Sequence, residues 1–191
     1  MRSILFLGDS FTQGWGLDSH ESMPSIIQEL LGKEEPSDWV CINAGLPGDT
    51  SGGGLARLPL YLKPASNLRA AVIEFGTNDV LHGIETEKIR SHLSEIVKIL
   101  KLFDPSLCIV LMEMGRFPGL PVPHGYEEMF AELASEEGIA LVPNAFRGIA
   151  GERGYVLEDG IHPNGTAMEI IADRVYQILR PLIAEPGPKA D

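Results

Sequence analysis

Five short apolar runs, separated by longer stretches of helical periodicity, constrain the fold of this 191-residue chain more than any other feature. The runs are Ile4–Leu7, Val40–Ile42, Ala70–Phe75, Leu107–Met112 and Ile139–Val142. Each has strand length, and most are rich in β-branched residues. The clearest helical pattern runs from Glu87 to Leu102, with Ile89, Leu93, Ile96, Val97 and Leu100 on one stripe and Thr86 as its N-cap. A second, Thr166 to Leu182, aligns Ile170, Ile171, Val175, Ile178 and Leu179, with Asn164 placed to cap it. Weaker patterns fit Pro24–Leu31, Leu55–Leu62 and Tyr126–Glu137. Strand followed by helix, five times over, predicts an α/β domain whose parallel sheet is covered on both faces. One domain over residues 1–184 accounts for the pattern, and the tail Glu185–Asp191 reads as disordered.

Charge narrows the partners. Fifteen Lys and Arg against 27 Asp and Glu leave a net charge of −12, which argues against nucleic acid and against stable association with an anionic membrane. Two cysteines, Cys41 and Cys108, each lie inside an apolar run and read as reduced core thiols. Only five residues, Ser3 to Leu7, separate Met1-Arg2 from Gly8. That is too short for a signal-peptide core, so the chain as it stands is expected in the cytoplasm, a leader removed ahead of it being the alternative.

In open α/β sheets, sites gather at the carboxyl ends of the strands. Four polar clusters fall at that edge: Gly8-Asp9-Ser10, Asn43 to Thr50, Gly76-Thr77-Asn78-Asp79 and Asp159-Gly160-Ile161-His162. A serine hydroxyl needs a base, and the base is commonly an imidazole held in one tautomer by a carboxylate. Ser10, His162 and Asp159 supply the three parts, the last two only three residues apart. The backbone N–H groups of Ser10 and Gly48 and the Asn78 amide are candidate donors to an oxyanion. Asp9 is expected to buttress the turn, Asp79 to be structural, and Asn43 either to support the site or to be a buried structural amide.

These blocks, in this order, resemble the SGNH hydrolases, also called the GDSL esterase/lipase family. The stretch Gly48 to Ser51 with Leu55 to Pro59, together with Asp159 to Asn164, is especially similar to the bacterial thioesterase I, arylesterase and lysophospholipase branch. Thr77 stands where that branch often has glycine. The resemblance runs from Ser3 to about Leu182 and implies a three-layer flavodoxin-like fold, a five-stranded parallel sheet of order 2-1-3-4-5. It implies Ser10 as nucleophile, Ser10, Gly48 and Asn78 as the oxyanion hole, Asp159 and His162 completing the triad, and no cofactor. That order separates the two cysteines. It also sets strand 5 roughly 14 Å from strand 1, so His162 reaches Ser10 only if the segment Pro143–Val156 runs back across the top of the sheet.

The expected chemistry is hydrolysis of short- to medium-chain acyl or aryl esters, thioesters or lysophospholipids. The segments after strands 3 and 4 should rim the pocket, and Leu46, Leu81, Phe117, Leu120 and Val122 make that rim apolar, which suits an acyl chain. A carbohydrate acetylesterase is the enzyme alternative. A non-catalytic module holding FMN or a phosphate in the Ser10, Thr12 and Gly14 loop is the alternative from another class. His20, His82, His92 and His124 are scattered without metal-binding spacing. Gly52-Gly53-Gly54 lacks the endings of a nucleotide loop and is expected to permit close packing at a helix start.

Overall fold

All five apolar runs become strands of one parallel sheet. The computed structural model describes residues 1–33, 38–62 and 67–184, so the expectation for the tail lies outside the described residues. The strands are β1 (Arg2–Gly8), β2 (Trp39–Gly45), β3 (Leu68–Glu74), β4 (Cys108–Met112) and β5 (Ala140–Val142), in the order β2-β1-β3-β4-β5. The helices are α1 (Ser10–Gln13), α2 (Met23–Gly32), α3 (Ser51–Arg57), α4 (Thr77–Leu81), α5 (Thr86–Phe103), α6 (Tyr126–Glu137) and α7 (Gly165–Ala184). α2 packs on α7, and α5 packs on α3 and α6, giving the two helical layers. Ile4 to Leu7 of β1 and Ala70 to Ile73 of β3 are buried without alternation, as central strands of a sheet covered on both faces must be. Among the described residues no helix is long and apolar enough to cross a membrane.

Several local expectations shift. Thr86 is the first residue of α5 rather than its cap, and its hydroxyl instead donates to the carbonyl of His124. Asn164 does cap α7, its side-chain oxygen accepting from Ala167 N–H at 3.0 Å. The third helix begins at Ser51, earlier than the periodicity from Leu55 indicates, and passes into a short 3₁₀ turn at Leu58–Leu60. Its glycines cost helix propensity, but the tertiary contact overrides it: a Cβ on Gly54 would sit 2.2 Å from the Phe75 ring. The two thiols are half-buried rather than core, and they are unpaired, with β1 and β3 between their strands.

The upper edge of the sheet is one row of paired residues, Gly45 beside Gly8 and Gly8 beside Glu74. From this row the chain leaves β1, β2 and β3 into the polar clusters. Little room exists there. A Cβ on Gly45 would lie 2.2 Å from Gln13 N, and one on Gly8 would lie 2.0 Å from Thr12 Oγ1 and 2.6 Å from Glu74 Oε2. Glycine at these positions lets α1 press directly onto the strand ends.

Candidate active site

Ser10 is the first residue of α1, a helix of one turn. Asp9 caps it, Oδ1 accepting from Phe11 N–H at 2.9 Å, and Gly14 closes it in the left-handed region at φ 85°. Phe11 anchors the turn from below, stacked on Phe117 at 5.3 Å and tilted against Phe146 at 4.9 Å. Phe146 belongs to the segment after β5. That contact ties the returning chain to α1 and carries it back across the top of the sheet.

The return ends in a pinched turn. Val156 bridges Pro163, Leu157 N–H donates to the His162 carbonyl at 2.8 Å, and Asn164 N–H donates to the Tyr155 carbonyl at 2.9 Å. Within it, Asp159 Oδ1 accepts from the N–H groups of Ile161 and His162 at 2.9 and 3.0 Å. Its Oδ2 lies 2.7 Å from His162 Nδ1, and His162 Nε2 lies 2.9 Å from Ser10 Oγ. Carboxylate, imidazole and hydroxyl thus form one hydrogen-bonded line between residues 152 positions apart. With the Nδ1 proton assigned toward Asp159, Nε2 is left to accept the serine proton. Burial opposes ionisation of Asp159, but the Ile161 N–H, the His162 ring and the His162 N–H outweigh it and hold the carboxyl below the usual aspartate range.

The candidate oxyanion donors come from the start of α1, from α4 and from the loop after β2. The Asn78 side-chain amide, on α4, donates one hydrogen to Asp9 Oδ2 at 2.8 Å, which fixes its plane and leaves the second hydrogen unused in this bond. The loop after β2 is held to the end of β1 because Leu46 N–H donates to the Gly8 carbonyl at 3.0 Å. Gly48 lies in that loop at φ 80°, and a Cβ there would meet nothing within 4 Å. Its glycine is therefore required by backbone conformation, not by crowding.

Of the expected rim, Leu46 and Leu81 are exposed, but Phe117 is buried with Phe11 and Phe146, and Leu120 and Val122 are half-buried against the core. The 117–122 segment packs down as a wall because its aromatic ring completes the cluster under α1. Two apolar side chains that the sequence did not single out stand open beside His162. Trp15 is 50% exposed with its ring 6.1 Å from the imidazole, and Ile161 is 41% exposed. Asn43 accepts from Gly45 N–H at 3.0 Å and donates to the Gln13 carbonyl at 3.4 Å, tying α1 to β2; it is exposed, not buried.

Asp79 is structural in the expected sense. It is fully buried and accepts from both the N–H and the hydroxyl of Ser51, whose oxygen also lies 3.0 Å from His92 Nδ1. In the sequence Arg57 stands out only as part of the stretch Leu55 to Pro59. Its guanidinium pairs with Asp49 at 2.7 Å and donates to the Gly8 carbonyl at 2.8 Å, clamping the loop after β2 to the Ser10 turn.

The family model of the GDSL-like lipase/acylhydrolase family matches residues 6–170 of the chain. The chain belongs to this family. The GDSL-like match takes in Ser10, Gly48, Asn78, Asp159 and His162. The chain is 31% identical over 185 residues to the esterase TesA of Pseudomonas aeruginosa, covering 95% of this chain and 90% of that one. It is 32% identical over 178 residues to an arylesterase of Vibrio mimicus, covering 92% and 87%. A crystal structure of TesA superposes with a TM-score of 0.84 at 32% identity, over 94% of this chain and 99% of the other. The GDSL-like chain is thus an ester-hydrolase family member over nearly its whole described length.

Proposed function

We propose that the chain hydrolyses short- to medium-chain acyl and aryl esters through an acyl-Ser10 intermediate. The observation that carries this reading is the unbroken line Ser10 Oγ, His162 Nε2, His162 Nδ1, Asp159 Oδ2, with spacings of 2.9 and 2.7 Å. His162 takes the Ser10 proton as Oγ attacks the ester carbonyl. The oxyanion is received by the N–H groups of Ser10 and Gly48 and the free hydrogen of Asn78. His162 then protonates the departing alcohol, and water attacks the acyl-serine by the same steps in reverse. A thiol leaves by the same proton transfer, so thioesters and, with a longer chain, lysophospholipids fall within the same chemistry.

Leu46, Leu81, Trp15 and Ile161 support an acyl or aryl group as the recognised part. All four are more than 40% exposed, and each is tied to a site residue: Leu46 to Gly8, Leu81 to the helix of Asn78, Trp15 and Ile161 to His162. An extended acyl chain removes such surface from water at about 25 cal/mol per Å². Rates on p-nitrophenyl acetate, butyrate and octanoate, set against acetylated xylan, test the assignment. Activity is expected on the nitrophenyl esters, and a preference for the polysaccharide would replace the acyl reading with a carbohydrate acetylesterase.

Asn78→Ala removes one donor and is expected to lower kcat by about 10²–10³ with little change in KM, because the donor is used mainly by the transition state. Steady-state kinetics on the butyrate ester, with circular dichroism to establish folding, provide the check. Wild-type turnover in the folded variant would remove Asn78 from the oxyanion hole.

A further inference from the structure

Glu74 ends β3, and its side chain is fully buried. On one side it is enclosed by Phe11, Met23, Met112, Phe146, Met168 and Ile171. On the other, Oε2 accepts from the Thr12 hydroxyl at 2.8 Å and from Asp9 N–H at 3.2 Å. Oε1 has no donor. A charged carboxylate with an orphaned oxygen among phenylalanine and methionine side chains is a costly state. Asp9 is supplied in the opposite way, with Phe11 N–H on one oxygen and the Asn78 amide on the other.

The two carboxyls lie within hydrogen-bonding reach of each other. As carboxylates, both can only accept, and their charges repel. A single proton resolves the conflict if it resides on Glu74, whose Oε1 is without a donor, and leaves each Asp9 oxygen to receive its N–H group. Burial pushes Glu74 well above the usual glutamate range, and the Asp9 charge pushes it the same way. Among the described residues, the other charged and titratable groups facing the pair supply no counter-cation. Asp79 on α4 adds a like charge, the Tyr126 phenol on α6 is pushed up by burial, and Arg57 on α3 is engaged by Asp49 and the Gly8 carbonyl.

We propose that Glu74 is a positioning residue: as a neutral acid beneath Gly8 it donates its proton to the Asp9 carboxylate, and Asp9 so held aligns both the helix that begins at Ser10 and the Asn78 amide. This rests on the reading of Asn78 as an oxyanion donor. Glutamine keeps a donor toward Asp9 and an acceptor for Thr12 without charge, whereas leucine keeps neither.

Glu74→Gln is accordingly expected to retain kcat within about tenfold and to keep the acid limb of the kcat–pH profile in place. Glu74→Leu is expected to lower kcat by about 10- to 100-fold, less than outright loss of an oxyanion donor. Without the Glu74 proton, Asp9 holds its own to higher pH, so the acid limb of the leucine variant moves upward by about one unit. His162 is common to all three proteins, so a difference among the limbs belongs to Asp9. Infrared difference spectra of wild type against Glu74→Gln at pH 8 read the proton directly and do not depend on the leucine variant folding. A protonated-carboxyl band present in wild type and lost in the glutamine variant is expected. Absence of that band, or an acid limb that moves downward in Glu74→Gln as a lost negative charge requires, would overturn the proposal. Failure of the Asn78 reading would show separately, as full activity in Asn78→Ala with the Glu74 band still present.

Discussion

Replacing Ser10 with alanine is expected to lower kcat on p-nitrophenyl butyrate by on the order of 10⁶ while the protein stays folded. The substitution removes one atom, Oγ, whose hydrogen bond in the structure is the one to His162 Nε2. The Ser10 N–H stays at the start of α1, Asp9 still caps the turn, and the Phe11 cluster beneath it is unchanged. Loss of one such hydrogen bond costs about 1 kcal/mol of stability, so circular dichroism and the thermal midpoint should stay near wild type. A phosphonate ester should add to wild type once per chain, as judged by intact mass, and should not add to Ser10→Ala. Labelling of the variant, or a variant that retains a hundredth of the wild-type rate, would place the nucleophile elsewhere.

Asp159→Asn is expected to cost about 10⁴ in kcat, with the geometry nearly preserved. The side-chain oxygen of asparagine can still accept from the Ile161 and His162 N–H groups, so the turn keeps its shape. Its amide nitrogen then faces His162 Nδ1 as a donor. The imidazole responds by carrying its proton on Nε2, where it can no longer receive the proton of Ser10. Substrate binding does not depend on that tautomer, so the loss should fall on kcat more than KM. Unchanged kcat would mean that backbone contacts alone orient the ring. The wild-type carboxylate, held below the usual aspartate range, keeps its charge through mildly acidic pH, so this part of the line does not set the acid limb near neutrality.

The strands were legible because apolar runs of three to six residues, most of them rich in β-branched side chains, announce them. Long helices such as α5 and α7 were legible because their stripes span several turns. α1 and α4 were not, since four or five residues cannot display a 3.6-residue period. Strand order came from the family resemblance, because periodicity says which segments are strands and nothing about which lie side by side. The residues Ser10, Asp159 and His162 could be singled out by chemistry, yet their union depends on a return segment whose anchor, Phe146 against Phe11, has no local signature. Glu74 carries a signal of its own: it is the lone charged residue in the run Ala70–Phe75, and an acid at the buried end of a strand needs a partner. Phe117 misled because a Gly- and Pro-rich segment reads as rim, whereas its ring is drawn down by two other aromatic rings.

The row Gly45, Gly8, Glu74 has a consequence for how the sheet finds its alignment. In a strand buried on one face, sliding by one residue is penalised because the whole apolar set turns to solvent. β3 is apolar toward both helical layers, so greasy contact alone discriminates weakly against such a slide. Glu74 does discriminate. Moved one position, its carboxyl would turn to the opposite layer, away from the Thr12 hydroxyl and the Asp9 N–H, and Ile73 would come to lie beside Gly8. The polar group under Ser10 therefore acts as a vernier mark on an otherwise featureless scale, and a chain that turns over substrate has, by that fact, paired its central strands in the correct notch.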